Sequence, residues 1–220
     1  MHPNEALAPF GLRITGQFAP EPGDPGDTFT TISLVGADGD RMWEKFSKSP
    51  EALDGEPDPM DRWSAQVLGA VATRLGATAL FPFGGPPWQP FLSWAVLAEG
   101  AQTSPVAMQV SPTRGLWMSY RGALGFTEHF EASRPLTSNP CTDCPAPCMA
   151  ACPVNAFSAG TYNVPACVDH ISSTEGVSCM SGCKVRLACP IGEVPPLDQR
   201  RFHMAAFVDA RNPVRQATGD

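Results

Sequence analysis

Residues 11–19, Gly-Leu-Arg-Ile-Thr-Gly-Gln-Phe-Ala, alternate apolar and polar side chains at a period of two, which predicts a β-strand. The proline-, glycine- and acid-rich stretch from Pro20 to Asp27 reads as a turn. Residues 28–36, with Phe29, Ile32, Leu34 and Val35, are β-branched and aromatic enough for a second strand. The two form a hairpin or consecutive strands of a mixed sheet. The period then lengthens. Met42, Trp43 and Phe46 recur at helical spacing within 38–48, and the acidic, proline-bearing segment from Pro50 to Pro59 reads as a loop. Across 61–75, Trp63, Val67, Leu68, Val71 and Leu75 share one helix face, and Gly76 offers a stop. Thr78 to Phe83 is a candidate buried strand. Strand, helix and strand in that order predict an α/β layer for this half of the chain.

The loop from Phe83 to Pro90 contains Gly84-Gly85, and two readings are open for it. A cofactor phosphate can approach such a backbone closely, but the favoured reading is a tight connection to a helix at 91–99. Phe91, Trp94, Ala95, Leu97 and Ala98 of that helix are expected in the core. Ser104–Val110 looks extended. Between 111 and 126, Arg114, Tyr120 and Arg121 flank Trp117. They read as an anion site or, more in keeping with the usual exposure of arginine, as a solvated arginine pair beside a core tryptophan. His129 and His170 have no ligand partner at helical spacing and receive no role. The polar, proline-bounded link from Glu131 to Pro140 divides the chain into an α/β domain at 1–135 and a second domain at 136–220. The second domain ends in a helix at 198–208, whose Phe202, Ala206 and Phe207 are expected to return to the core.

Composition narrows the function. A net charge of −7 argues against nucleic acid or an anionic membrane as the main partner. No run of eighteen apolar residues is present, so no transmembrane helix is expected. The N-terminus, Met1-His2-Pro3-Asn4-Glu5, lacks a basic segment followed by an apolar one, which makes the cytoplasm the expected compartment.

The cysteines carry the chemistry. All eight lie between Cys141 and Cys189, in the order Cys141-x2-Cys144-x3-Cys148-x3-Cys152-Pro153, Cys167, Cys179-x3-Cys183-x5-Cys189-Pro190. Disulfides suit small secreted domains, and structural zinc uses paired short hooks around a longer spacer; neither matches four cysteines within twelve residues. Soft thiolates in short loops suit polynuclear iron–sulfur cores, and eight thiolates match the needs of two four-iron clusters. The first run resembles that of bacterial two-cluster ferredoxins, in which three close cysteines hold one cluster and the fourth, before proline, ligates the other. Counting then gives Cys141, Cys144, Cys148 and Cys189 to cluster A, and Cys152, Cys167, Cys179 and Cys183 to cluster B. Val154-Asn155-Ala156-Phe157 is expected to cover a cluster. Lys184 and Arg186 offset cluster charge, dock an acidic partner, or are simply solvated.

The segment is more similar still to the cluster domain of epoxyqueuosine reductases and reductive dehalogenases. Those families also have an isolated cysteine, matched here by Cys167, and a Gly-x-Trp segment upstream, comparable with Gly115-Leu116-Trp117. The resemblance implies an α/β domain ahead of the clusters and electrons delivered to a cobalamin held there. The chain departs from the usual ferredoxin spacing at Cys144-x3-Cys148, Cys179-x3-Cys183 and Cys183-x5-Cys189, which are longer. The expectation is therefore an α+β protein: an N-terminal α/β domain, then a ferredoxin-like domain with two [4Fe–4S] clusters. Its expected function is electron transfer with redox partner proteins. The alternative is a reductase in which the clusters serve a cobalamin, flavin or small-molecule substrate in the N-terminal domain.

Overall fold

Gly11, with φ of 66°, turns the chain out of a short helix, α1 (Pro3–Leu7), into strand β1 (Leu12–Phe18), as the alternating pattern predicts. This computed structural model describes residues 2–158 and 160–218. Strand β2 (Thr31–Ala37) returns antiparallel to β1, setting Leu12 opposite Ala37 and Phe18 opposite Ile32. Helices α2 (Arg41–Phe46), α3 (Pro50–Leu53) and α4 (Pro59–Leu75) follow, then β3 (Thr78–Leu80) and α5 (Phe91–Glu99). The two-residue strands β4 (Gln102–Thr103) and β5 (Gln109–Val110) precede β6 (Tyr120–Phe126). Then come β7 (Phe157–Ser158), β8 (Thr161–Tyr162), α6 (Val164–Ile171), α7 (Lys184–Leu187) and α8 (Leu197–Thr218). Helices together with an antiparallel sheet make this an α+β protein. No helix among the described residues is long and apolar enough to cross a membrane.

The chain divides into two compact units. One comprises the residues up to Gln102 with Met118–Ser138; the other comprises Thr103–Trp117 with the chain from Asn139 onward. A single boundary at 135/136 does not foresee that Thr103–Trp117 joins the cysteine-bearing unit. The physical reason is apolar. Val106, Val110 and Leu116 are each 1% exposed and share a core with Cys148, Ala156, Phe157 and Val185.

In the first unit a four-stranded sheet has the order β1-β2-β6-β3, with every neighbouring pair antiparallel. Since β2 and β3 both oppose β6, they run the same way with β6 between them. The strand–helix–strand order read from sequence is thus a split β-α-β crossover rather than two adjacent parallel strands. Helix α5 covers one face, placing Phe91, Trp94, Ala95 and Ala98 against Phe18, Ile32, Leu34 and Ala123. Helix α4 buries Trp63, Val67, Leu68 and Val71. It approaches β6 so closely that a Cβ on Gly122 would lie 2.6 Å from Leu68 Cδ1.

Several local expectations change. Pro50–Leu53 is helical rather than loop, because Ser49 caps it: its Oγ accepts from the Ala52 N–H at 3.3 Å. Leu97 is 47% exposed rather than buried, since the buried stripe of α5 runs through Phe91, Trp94, Ala95 and Ala98. Strand β3 stops at Leu80, short of Phe83, and Phe81 and Phe83 stack on each other at 5.0 Å. Among the residues of α8 whose burial is described, Met204 is the buried one; Phe202 and Phe207 are half-buried and Ala206 is exposed.

Candidate functional site: two thiol quartets

The second unit is mostly loops and short helices, and each cysteine sits where a turn presents it. Asn139 Oδ1 accepts from the Cys141 N–H at 2.9 Å, which fixes the entry to the first run. Cys148 follows in a 3₁₀ turn over Pro147–Ala150. Cys167 rides on α6, whose N-cap Asn163 accepts from the Ala166 N–H at 3.1 Å. Cys179 lies in the 3₁₀ segment Glu175–Ser181, and Cys183 stands directly before α7. Cys189 follows α7, its N–H donating to the Arg186 carbonyl at 3.3 Å.

These turns gather the thiols into two groups. Cys141, Cys144, Cys148 and Cys189 line one cavity, with Pro105, Val110, Leu116 and Ile191 among its walls. Cys152, Cys167, Cys179 and Cys183 line a second, with Phe157, Ile171, Val185 and Met204. Each quartet faces about 330 Å³ of atom-free space, part of it open to solvent. Cys152 and Cys148 are four residues apart in sequence yet belong to different quartets, and Cys189 joins the run that begins nearly fifty residues earlier. This is the division expected from the cysteine spacing. All eight are free thiols.

A close backbone approach holds the first quartet together. Gly115 (φ 56°) closes a turn with Ser111, whose backbone groups exchange hydrogen bonds with its own at 2.9 and 3.0 Å. A Cβ at Gly115 would run into the Ile191 carbonyl and lie 3.0 Å from Cys189 Sγ. Gly192 (φ 77°) stands as close to the Arg114 backbone. The Gly115-Leu116-Trp117 segment singled out in the sequence therefore packs on a cysteine of the quartet.

Do these residues fit iron–sulfur clusters? The donor set is four soft thiols in apolar walls on both sides, which suits such a group. Burial pushes the Cys141 thiol up, and the neighbouring Cys144, Cys148 and Cys189 add to that. Cys148 is raised likewise, by burial first and then by Cys189 and Cys144. Thiols crowded in this way resist ionising together, and a cationic metal core offsets their mutual repulsion. Ser104, 6% exposed, lines the first cavity with its Oγ buried and without a hydrogen-bond partner, so a group held there would give that hydroxyl an acceptor. Among the described residues, no three His, Cys, Asp or Glu side chains gather as they would around a single metal ion.

No protein-family model matches the chain, and no curated protein matches it.

The second quartet has a richer polar surround. Burial raises the Cys167 thiol, the Tyr162 hydroxyl opposes this, and Cys183, Cys152 and Cys179 add to the rise. Burial also raises Cys179, with Lys184 and the Ser178 side chain opposing. The Ala156 N–H donates to Cys152 Sγ at 3.3 Å. Arg186 is half-buried: desolvation lowers its pKa while Cys183 and Tyr162 pull the other way. Its guanidinium donates to the Leu116 carbonyl and lies 5.7 Å from the centroid of the Trp117 ring. Of the readings given to Lys184 and Arg186, charge compensation is the one their positions favour. Of the expected cover, Ala156 and Phe157 are buried, whereas Val154 is 36% exposed. Tyr162 carried no signal in the sequence. It reaches Cys167 because β7 and β8 pair, which stacks its ring on Phe157 at 4.3 Å.

Arg114, Trp117, Tyr120 and Arg121 do not form one anion site. The first two fall in the second unit and the last two in the first. Tyr120 is a core residue, 9% exposed and packed near Phe91. Arg121 is not solvated. Its guanidinium donates to Ser119 Oγ at 2.8 Å, desolvation lowers its pKa, and Asp61 opposes that shift.

Proposed function

We propose that the chain is an iron–sulfur electron-transfer protein. Cys141, Cys144, Cys148 and Cys189 would hold one [4Fe–4S] cluster, and Cys152, Cys167, Cys179 and Cys183 the other. The observation that carries this reading is the crossed grouping: each Cys-Pro cysteine, Cys152 and Cys189, lines the cavity of the other sequence run. Single-ion sites have no need of such crossing, whereas two-cluster ferredoxins use it to close both ligand sets. When bound, each cluster supplies a centre that accepts and returns one electron. The chain's own part is to hold the four sulfurs, keep apolar walls such as Leu116, Ile171 and Val185 around them, and place donors near them. On this reading the second unit is ferredoxin-like, and the chain works with redox partner proteins in the cytoplasm.

A second reading, a reductase akin to epoxyqueuosine reductases and reductive dehalogenases, is favoured by one observation. The Gly115-Leu116-Trp117 segment, part of that likeness, abuts Cys189. Cobalamin or flavin would then be held by the first unit, beside a small-molecule substrate.

Anaerobic purification with iron and sulfide quantitation tests both. About eight irons and eight sulfides per chain are expected, with paired EPR signals after reduction. Zinc without sulfide overturns the proposal, and a corrin or flavin absorption band moves the reductase ahead.

A further inference from the structure

The two quartets hold the same ligands in different company. The cavity of the first is lined by no ionisable side chain other than its thiols; Ser104 brings one neutral hydroxyl. The cavity of the second is lined by Lys184 and His170. Lys184 acts by charge on Cys179, and Arg186 on Cys183. The Tyr162 ring stacks at 4.3 Å on Phe157, a wall of this cavity, and the Ala156 N–H donates to Cys152 Sγ. Arg186 is pinned, with its guanidinium bonded to the Leu116 carbonyl and set over the Trp117 ring. Its charge is therefore fixed in place at a half-buried position, where solvent screens it in part.

Adding an electron to a thiolate-ligated cluster adds negative charge to a site that is already anionic. Cations and hydrogen-bond donors near the sulfurs stabilise that added charge and raise the potential. Donors that carry a full charge contribute roughly twice what a neutral one does. The imbalance between the quartets thus lies in the two cations and the phenol, since backbone N–H groups reach a sulfur in both, from Cys148 and Met149 at Cys148 and from Ala156 at Cys152.

Resting on the proposed function, we infer that Lys184, Arg186 and Tyr162 make the second quartet the electron well of this chain. A cluster held by Cys152, Cys167, Cys179 and Cys183 has the higher potential, and an electron shared between the two sites rests there. These three are positioning residues; none is a ligand.

The test is an EPR-monitored redox titration of the iron-loaded chain, with dithionite as reductant, comparing it with Lys184→Met, Tyr162→Phe and the double variant. Tyr162→Phe keeps the ring on Phe157 and removes only the hydroxyl, so it serves even if Lys184→Met fails to assemble. The higher of the two potentials should fall in each variant while the lower stays. In the double variant the one-electron equilibrium should shift at least tenfold, about 59 mV. Ser104→Ala should move only the lower potential, and downward. If the iron content is intact but the Lys184 and Tyr162 variants shift the lower potential, or neither, the inference is overturned and the proposed function stands. If iron and sulfide are absent from the parent chain, both fall.

Discussion

The first quartet is held by loops, the second by helices. Cys141 and Cys144 lie in turns, Cys148 in a 3₁₀ turn, and their site is closed from outside by the Ser111–Gly115 turn pressing on Cys189. Cys167 sits on α6 and Cys183 at the start of α7, and Met204 of α8 lies beneath with Ile171 and Cys179. Backbone contact that only glycine permits occurs in both, at Gly115 in the first and at Gly176 against the His170 carbonyl in the second, and the second adds the side-chain packing of Met204. The difference extends to electrostatics. Loops bring the first quartet proline and aliphatic walls, whereas helix starts and a strand pair bring the second Lys184, Arg186 and Tyr162. Identical ligands do not make identical sites.

Removing a ligand should break the comparison most sharply. Cys167→Ala is expected to abolish the second site and leave about half of the iron and sulfide, with the EPR signal of the first site intact. Cys189→Ala should do the reverse, although it lies only six residues after Cys183. Retention of full iron content by either variant would show that the crossed grouping does not describe the ligands. Met204→Ala comes next. Truncating a buried methionine costs about 2–5 kcal/mol, and here the loss should fall on the second quartet, read as earlier iron release on heating from that site alone. Gly115→Ala should have a smaller effect, on the first quartet only. An alanine strained at φ 56° costs on the order of 1–3 kcal/mol, and the added methyl would displace Ile191 and Cys189. Equal loss from both sites would remove the distinction between loop-held and helix-held.

Legibility in the sequence follows the range of the interaction. The division of the eight thiols into two groups was readable because all of them lie, closely spaced, on one continuous segment. Strand β1 and helix α4 were readable because each has one clean period, and Asp58-Pro59 and Gly76 mark the ends of α4. Strand β6 was not foreseen. Its sequence, Tyr-Arg-Gly-Ala-Leu-Gly-Phe, has two glycines and an arginine where a central strand would show β-branched residues. Those glycines are there for contact: Gly122 admits Leu68, and a Cβ on Gly125 would lie 2.7 Å from the Phe29 ring. Such a demand comes from partners dozens of residues away, and no local pattern carries it. The same applies to Tyr162, whose neighbourhood to Cys167 depends on a two-residue strand pair.

The smallest expected effect is on a residue of the first unit and serves as a control for both quartets. Asp61, in α4, has its carboxyl pushed up by burial; the Arg121 charge opposes this and Asp58 adds to it. The folded state therefore holds the proton more tightly than the unfolded chain, whose carboxyl titrates near about 3.9. That preference stabilises the fold below the unfolded value and is lost as pH rises through the folded one, so at neutral pH the ionised carboxylate is the less favoured form. Asp61→Asn, which keeps the shape without the charge, should raise the Tm slightly at pH 7 and not at pH 3. The gain should stay under about 1 kcal/mol, about 2–4 °C for a chain of this size. Both EPR signals and both potentials should be unchanged, because neither quartet's cavity has a wall from α4. A potential that moved in Asp61→Asn would mean that charge in the first unit sets the difference between them, and the local contrast of Lys184 and Tyr162 with Ser104 would not be its source.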